Sequence, residues 1–200
     1  MEEGIWMAKK DAIVQSAIKL FQTNGIERTK ISDIVKEAQI AQGTFYLYFP
    51  SKLALMPAIA EEMVKILMKR IKHEVKSEQN VDEKFINIVN SIFKVNKEYS
   101  EVLAMIYSGL ASTEHLKEWE TVYEPCYHWL SNILLEAKNN GEIRQTIDPD
   151  RTAKLIIGLV ESAAEQVYLY DASDELEIEH QREAVIQFLF NALGLEKVNS

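Results

Sequence analysis

Between Ile31 and Lys52 the chain reads ISDIVKEAQIAQGTFYLYFPSK. Its polar groups fall on a short predicted helix, Gln42 to about Tyr48, and their types suit one chemistry, the recognition of base edges. A helix that enters the major groove needs small side chains where it approaches the bases, groups that bond their edges, and phosphate grips at its ends. Gln42 can bond adenine N6 and N7, Gly43 keeps the helix start thin, and Thr44 offers a hydroxyl to an edge and a methyl to thymine. Tyr46 and Tyr48 can reach bases or phosphates through their phenols. Lys52 can meet a phosphate by charge and through the helix N-terminus beneath it. Phe45 and Phe49 are expected to point inward as anchors. The competing reading makes Tyr46 and Tyr48 ordinary core aromatics, whose hydroxyls would then need buried partners.

Such a helix must be held by others. Ile13, Ala17, Leu20 and Phe21 form one apolar face of a helix from about Met7 to Asn24, which Gly25 can end in the left-handed conformation. Residues 1–6 read as an extension, with Met7 a possible alternative start. Thr29 is a plausible N-cap for a second helix whose face is Ile31, Ile34, Val35 and Ala38. Gln39-Ile40 makes the turn, without the glycine often found there. Ser51 can cap a long helix from Lys52 to about Ser77, in which Pro57 is expected to cause a local bend.

Residues 9–57 resemble the N-terminal domain of the TetR family of bacterial transcription regulators. The resemblance rests on Phe21…Asn24-Gly25, on Thr29 with Ile31…Ile34-Val35, on Gly43-Thr44-Phe45-Tyr46-Leu47-Tyr48-Phe49, and on Lys52 with Leu55. It implies a head that reads a palindromic operator as a dimer, with Tyr46 and Lys52 on phosphates and Ser32, Gln42 and Thr44 at the bases. Lys30, Gly43 and Tyr48 complete the candidate DNA contacts. Ala41 departs from the serine that often caps the third helix. Leu47 departs from a frequent tyrosine, histidine or tryptophan, which removes a phosphate contact.

Beyond the head the pattern stays helical. Phe85, Ile88, Val89, Ile92 and Phe93 mark a fifth helix, and a sixth covers about Glu101 to Ala111. A seventh, capped by Thr113, runs to Asn140 and Gly141, with a kink or break expected at Pro125. Asp148-Pro149 opens an eighth. Ser173 or Asp174 opens a ninth that ends at Gly194. The expected fold is all-α: a three-helix head over 7–52 and a ligand-binding and dimerisation bundle over 53–200. Helices eight and nine each carry two apolar faces, so each needs two partners. The second is most simply another copy of the chain, through Ile156, Gly158, Leu159, Ala163, Val167, Val185, Phe188, Leu189 and Ala192. A thick monomeric core is the alternative.

A pocket is plausible among Met63, Leu67, Phe93, Tyr107, Trp119, Tyr123, Tyr127 and Trp129. Glu161 and Glu165, one turn apart, would suit a cationic ligand if buried beside those rings. Otherwise the lining suits a hydrophobic one, or is plain core.

Charge follows the same division. The net charge is −9, yet residues 5–56 hold seven Lys and Arg against four acids. That permits a small basic reading head on an acidic body and argues against broad coating of nucleic acid. The 200 residues contain no apolar run long enough to span a membrane and no secretory leader. The lone Cys126 excludes an internal disulfide and a cysteine-based zinc site. The expected location is cytoplasmic. His73, His115, His128 and His180 lack metal-ligand spacing, and no nucleotide or nucleophile motif occurs. The expectation is a non-enzyme without cofactor or metal, whose partners are an operator duplex, a second copy and a small effector. The alternative is a helical small-molecule-binding or interaction protein that does not read DNA.

Overall fold

The computed structural model describes residues 2–110, 116–170 and 174–195, with side chains placed at 4–107, 121–170 and 174–195. Among these residues all regular structure is helical: α1 (Glu2–Asn24), α2 (Ile31–Glu37), α3 (Gln42–Tyr48), α4 (Met56–Glu74), α5 (Val81–Glu98), α6 (Ser100–Leu110), α7 (Leu116–Asn139), α8 (Pro149–Glu165) and α9 (Glu175–Leu193). A 3-10 turn, Leu53–Leu55, precedes α4, and a π turn, Gln166–Tyr170, follows α8. The chain forms two compact units, residues 1–63 with 101–120 and residues 64–100 with 121–200, so the division falls inside α4.

In the first unit α1 packs on α2 and α2 on α3. The core is the predicted one. Ile13, Ala17 and Phe21 of α1, Ile34 and Val35 of α2, and Phe45 and Phe49 are all buried. Gly25 ends α1 at φ +75°, its N–H bonded to the Phe21 carbonyl. Several local expectations are corrected. The predicted extension is helical, because α1 already includes residues 2–6. Thr29 does not cap α2. It is buried, and its hydroxyl donates to the Gly25 carbonyl at 2.8 Å. Lys30 takes the cap position, where the Asp33 carboxylate accepts from its N–H at 2.9 Å. Lysine has no acceptor, so the reciprocal half of a capping box is missing. Gln39 supplies the turn with φ +55°, which costs a non-glycine residue about 1 kcal/mol.

Helix α4 starts at Met56 rather than at Lys52. The Ser51 hydroxyl accepts from Ala54 N–H within the preceding 3-10 turn. Pro57 is thus the second residue of α4, where its missing N–H leaves no bond unmade, and the expected bend has no cause.

In the second unit α5 packs against both α8 and α9, which also pack on each other. Asn80 and Glu83 form a full capping box at the start of α5. Asp148 caps α8 and Asp174 caps α9, each accepting from the N–H three residues on. Helix α7 continues through Pro125 rather than breaking there. Thr113 and Ser173, the other expected caps, lie outside the described residues. The arginine fork of Arg70 grips the Glu98 carboxylate with two bonds of 2.9 and 2.7 Å. None of the described helices is long and apolar enough to cross a membrane.

Candidate nucleic-acid interface

Helix α3 has seven residues and no side chain capping it, since Ala41 holds the cap position. A helix that short is not stable alone, so packing must hold it. Phe45 and Phe49 do this from the inside, with ring centroids 5.9 Å apart. Their placement turns the remaining residues outward: Gln42, Gly43, Tyr46 and Leu47 are exposed, while Thr44 and Tyr48 are half-buried. Tyr46 keeps 50% of its surface. Its ring meets Phe45 edge-on at 5.5 Å, which fixes it without burying it. A Cβ built on Gly43 meets nothing within 4 Å, so the head's own packing makes no demand for glycine there. Ser32 and Lys30 are exposed at the start of α2. The first unit therefore brings a glutamine, a glycine and a tyrosine onto the open surface of one short helix, with a half-buried threonine among them.

Lys52 is placed differently from the sequence expectation. Its ammonium donates to the carbonyls of Ile26 at 2.6 Å and Thr29 at 2.9 Å. It bridges the start of α4's 3-10 turn to the α1–α2 connection. An ammonium has three hydrogens, so one remains beyond these two bonds. Sequence reasoning found the lysine but missed this bracket, because no spacing rule links residue 52 to carbonyls at 26 and 29. It also missed Trp6. That ring stacks on Tyr48 at 4.0 Å between centroids, tilted by 35°. The available signal was its spacing of seven from Ile13, two helical turns along the same face.

In the second unit the pocket candidates divide. Tyr123 and Tyr127 stack at 5.9 Å, and Tyr123 donates to the Glu161 carboxylate at 2.7 Å. Burial pushes that carboxyl up to about 8, against the Tyr123 hydrogen bond, which lowers it, while nearby Glu165 raises it further. Lys154 lies over the Tyr127 ring at 5.4 Å. Leu67 and Phe93 are buried in the same unit, and Trp129 is half-buried. Met63 and Tyr107 belong to the first unit, and the Trp119 side chain lies outside the described residues. Cys126 is fully buried, and burial pushes its thiol up to about 12, which keeps it inert at neutral pH. Among the described residues no three His, Cys, Asp or Glu side chains group as a metal site.

The nine interface candidates separate by burial. Ile156, Val167 and Leu189 are buried within their own chain, as are Ile157, Val160 and Phe190. Ala163 and Val185 are also buried and floor a groove of about 230 Å³ between α8 and α9, rimmed by Leu159 and Phe188. Gly158, Phe188 and Ala192 are exposed, as is Leu155 at 71%.

Comparison with known proteins matches two stretches of the chain. Residues 13–59 match the model of bacterial regulatory proteins of the tetR family, and residues 85–193 match the tetracycline repressor-like C-terminal domain. The Bacillus subtilis HTH-type transcriptional regulator YvdT is 37% identical over 186 residues, 93% of this chain and 95% of that protein. Among solved structures, the fatty acid degradation regulator FadR of Bacillus halodurans has a TM-score of 0.70 and 25% identity, covering 90% of this chain and 94% of its own. FadR of Bacillus subtilis, solved with stearoyl-CoA, has a TM-score of 0.69 and 21% identity, covering 89% and 96%.

Proposed function

The chain belongs to the TetR family of bacterial regulatory proteins and is a helix-turn-helix transcriptional regulator. From that premise we propose that it binds a dyad-symmetric operator as a homodimer and is released by a small apolar effector. The observation that carries the DNA contacts is the outward set Gln42, Gly43, Thr44 and Tyr46 on a helix anchored by buried Phe45 and Phe49. Gln42 and Thr44 read base edges, with Ser32 beside them. Tyr46 grips a phosphate through its phenol, while Lys30 and the remaining hydrogen of Lys52 add positive charge. Two such helices fit successive major grooves when they sit roughly 34–36 Å apart.

The groove of α8 and α9, with Leu155, Leu159, Phe188 and Ala192 around it, is the surface through which the second copy holds that spacing. An effector that binds better to a form with another spacing lowers operator affinity by its differential affinity for the two forms. The stearoyl-CoA complex of FadR supports an effector that carries an apolar chain. Burial raises the Glu161 carboxyl to about 8, which supports a polar anchor beside Tyr123. The family is one of regulators rather than enzymes, and the chain's work is binding in a cytoplasmic setting.

The test is a footprint on DNA flanking its own gene over a salt series. The reading expects a protected site with dyad symmetry and a steep loss of affinity with salt. Binding without symmetry or salt dependence would leave a helical ligand-binding protein that does not read DNA.

A further inference from the structure

Helix α1 begins well before the core it serves. Its first buried residue is Ile13, yet the helix is formed from residue 2, and Ile5, Trp6 and Met7 stand largely exposed there. Exposed apolar residues at a helix end gain nothing from water, so the contact they make elsewhere is informative. Trp6 makes one. Its ring lies on Tyr48, the last residue of α3, with centroids 4.0 Å apart and planes 35° from parallel, while 49% of its surface stays open.

Tyr48 is the outer member of a continuous run of rings. It meets Phe49 at 6.4 Å, Phe49 meets Phe45 at 5.9 Å, and Phe45 meets Tyr46 edge-on at 5.5 Å. Phe45 and Phe49 are locked by burial, whereas Tyr48 is only half-buried and closes a seven-residue helix without a capping side chain. The last turn of such a helix frays unless something covers it. Trp6 covers it from another element.

We propose that Trp6 is a positioning residue for DNA reading: by stacking on Tyr48 it holds the end of α3, and with it Tyr46, in the conformation that meets the duplex. The inference rests on the DNA-reading function proposed above. It makes the first turn of α1 part of the reading head although no base-edge chemistry resides there.

The test uses the full chain and a labelled 30-base-pair duplex that the protein has selected from a randomised pool. Anisotropy titrations compare the unaltered protein with Trp6→Ala, Trp6→Phe, Tyr48→Ala, the double variant Trp6→Ala/Tyr48→Ala and Gln42→Ala. Loss of one aromatic pair predicts a roughly three- to tenfold weaker complex for Trp6→Ala. Trp6→Phe restores affinity to within about twofold, because a flat ring remains. The double variant binds no more weakly than Tyr48→Ala, since Trp6 acts through Tyr48. Melting of Trp6→Ala falls by no more than about 5 °C, since one aromatic pair is lost and the ring is half open to water. Unchanged affinity for Trp6→Ala beside a clear loss for Gln42→Ala overturns the positioning role and leaves the DNA reading standing. A double variant whose loss is the product of the two single losses overturns it as well, because Trp6 then works without Tyr48. Should no duplex be enriched, or Gln42→Ala bind undiminished, the DNA reading itself fails and the proposal goes with it.

Discussion

At the scale of single residues, two positions separate folding from DNA contact. Gly43 meets nothing in its own chain, so an added methyl costs no packing. Gly43→Ala should raise head stability by about 0.5–1 kcal/mol through helix propensity, and yet weaken duplex binding because the methyl stands where a base edge must approach. Thermal melting and anisotropy on one sample check both signs, and a variant that gains stability with unaltered affinity removes Gly43 from the interface. Lys52 is the opposite case. It already holds two carbonyls of the α1–α2 connection, so Lys52→Met should lower the melting temperature by an amount equivalent to about 1–2 kcal/mol, besides any loss on DNA. Unchanged melting would place the ammonium away from those carbonyls in solution. The inward and outward faces at 42–49 were readable because Phe45 and Phe49 are the apolar anchors of a short helix. The partners of Lys52 and Thr29 were not, because each bonds carbonyls whose positions depend on the folded path of a loop.

At the scale of elements, periodicity carried the prediction wherever a helix has one buried stripe. It gave α3 over Gln42–Tyr48, the buried face of α5, and the Asp148-Pro149 start of α8. It failed where the chain leaves the α-helical path for a few residues. The 3-10 turn before Met56 shifted the start of α4 and put Pro57 where proline is tolerated. On α8 and α9 periodicity showed two apolar faces but could not say which is the inner one, because Leu155 and Ile156 are equally apolar and only packing distinguishes them. Helix α8 also carries a part-buried carboxyl that periodicity cannot anticipate. Burial pushes the Glu161 carboxyl from an ordinary 4.5 up to about 8, so unfolding releases its proton at a pH between these values. Stability is therefore largest below pH 4.5 as far as this group is concerned, and declines as pH rises towards 8. Glu161→Gln should flatten that decline and stabilise the protein at pH 8 by on the order of 2 kcal/mol, given the carboxyl's partial exposure. Chemical denaturation at pH 5 and pH 8 measures it. Equal pH dependence in both proteins would mean that Glu161 is solvated.

At the scale of the whole molecule, residues 5–56 hold more Lys and Arg than acids while the rest of the chain is acidic, and the two family models match residues 13–59 and 85–193. What a single chain leaves unfinished is the outer face of α8 and α9, where Phe188 keeps 61% of its surface beside the groove floored by Ala163 and Val185. A charge there should prevent pairing: Phe188→Glu is expected to sediment as a monomer with its helicity intact and to lose at least about tenfold in duplex affinity, since one head then binds without its twin. A dimer that survives this change would move the interface to another surface. The central claim is that α3 reads bases and does so in pairs. Native mass spectrometry of the complex with the selected duplex, repeated after Gln42→Ala/Thr44→Ala, tests it most directly. Two chains per duplex, and loss of the preference for that duplex over a scrambled one in the double variant, are the predicted result. One chain per duplex, or a preference that survives both substitutions, would contradict it.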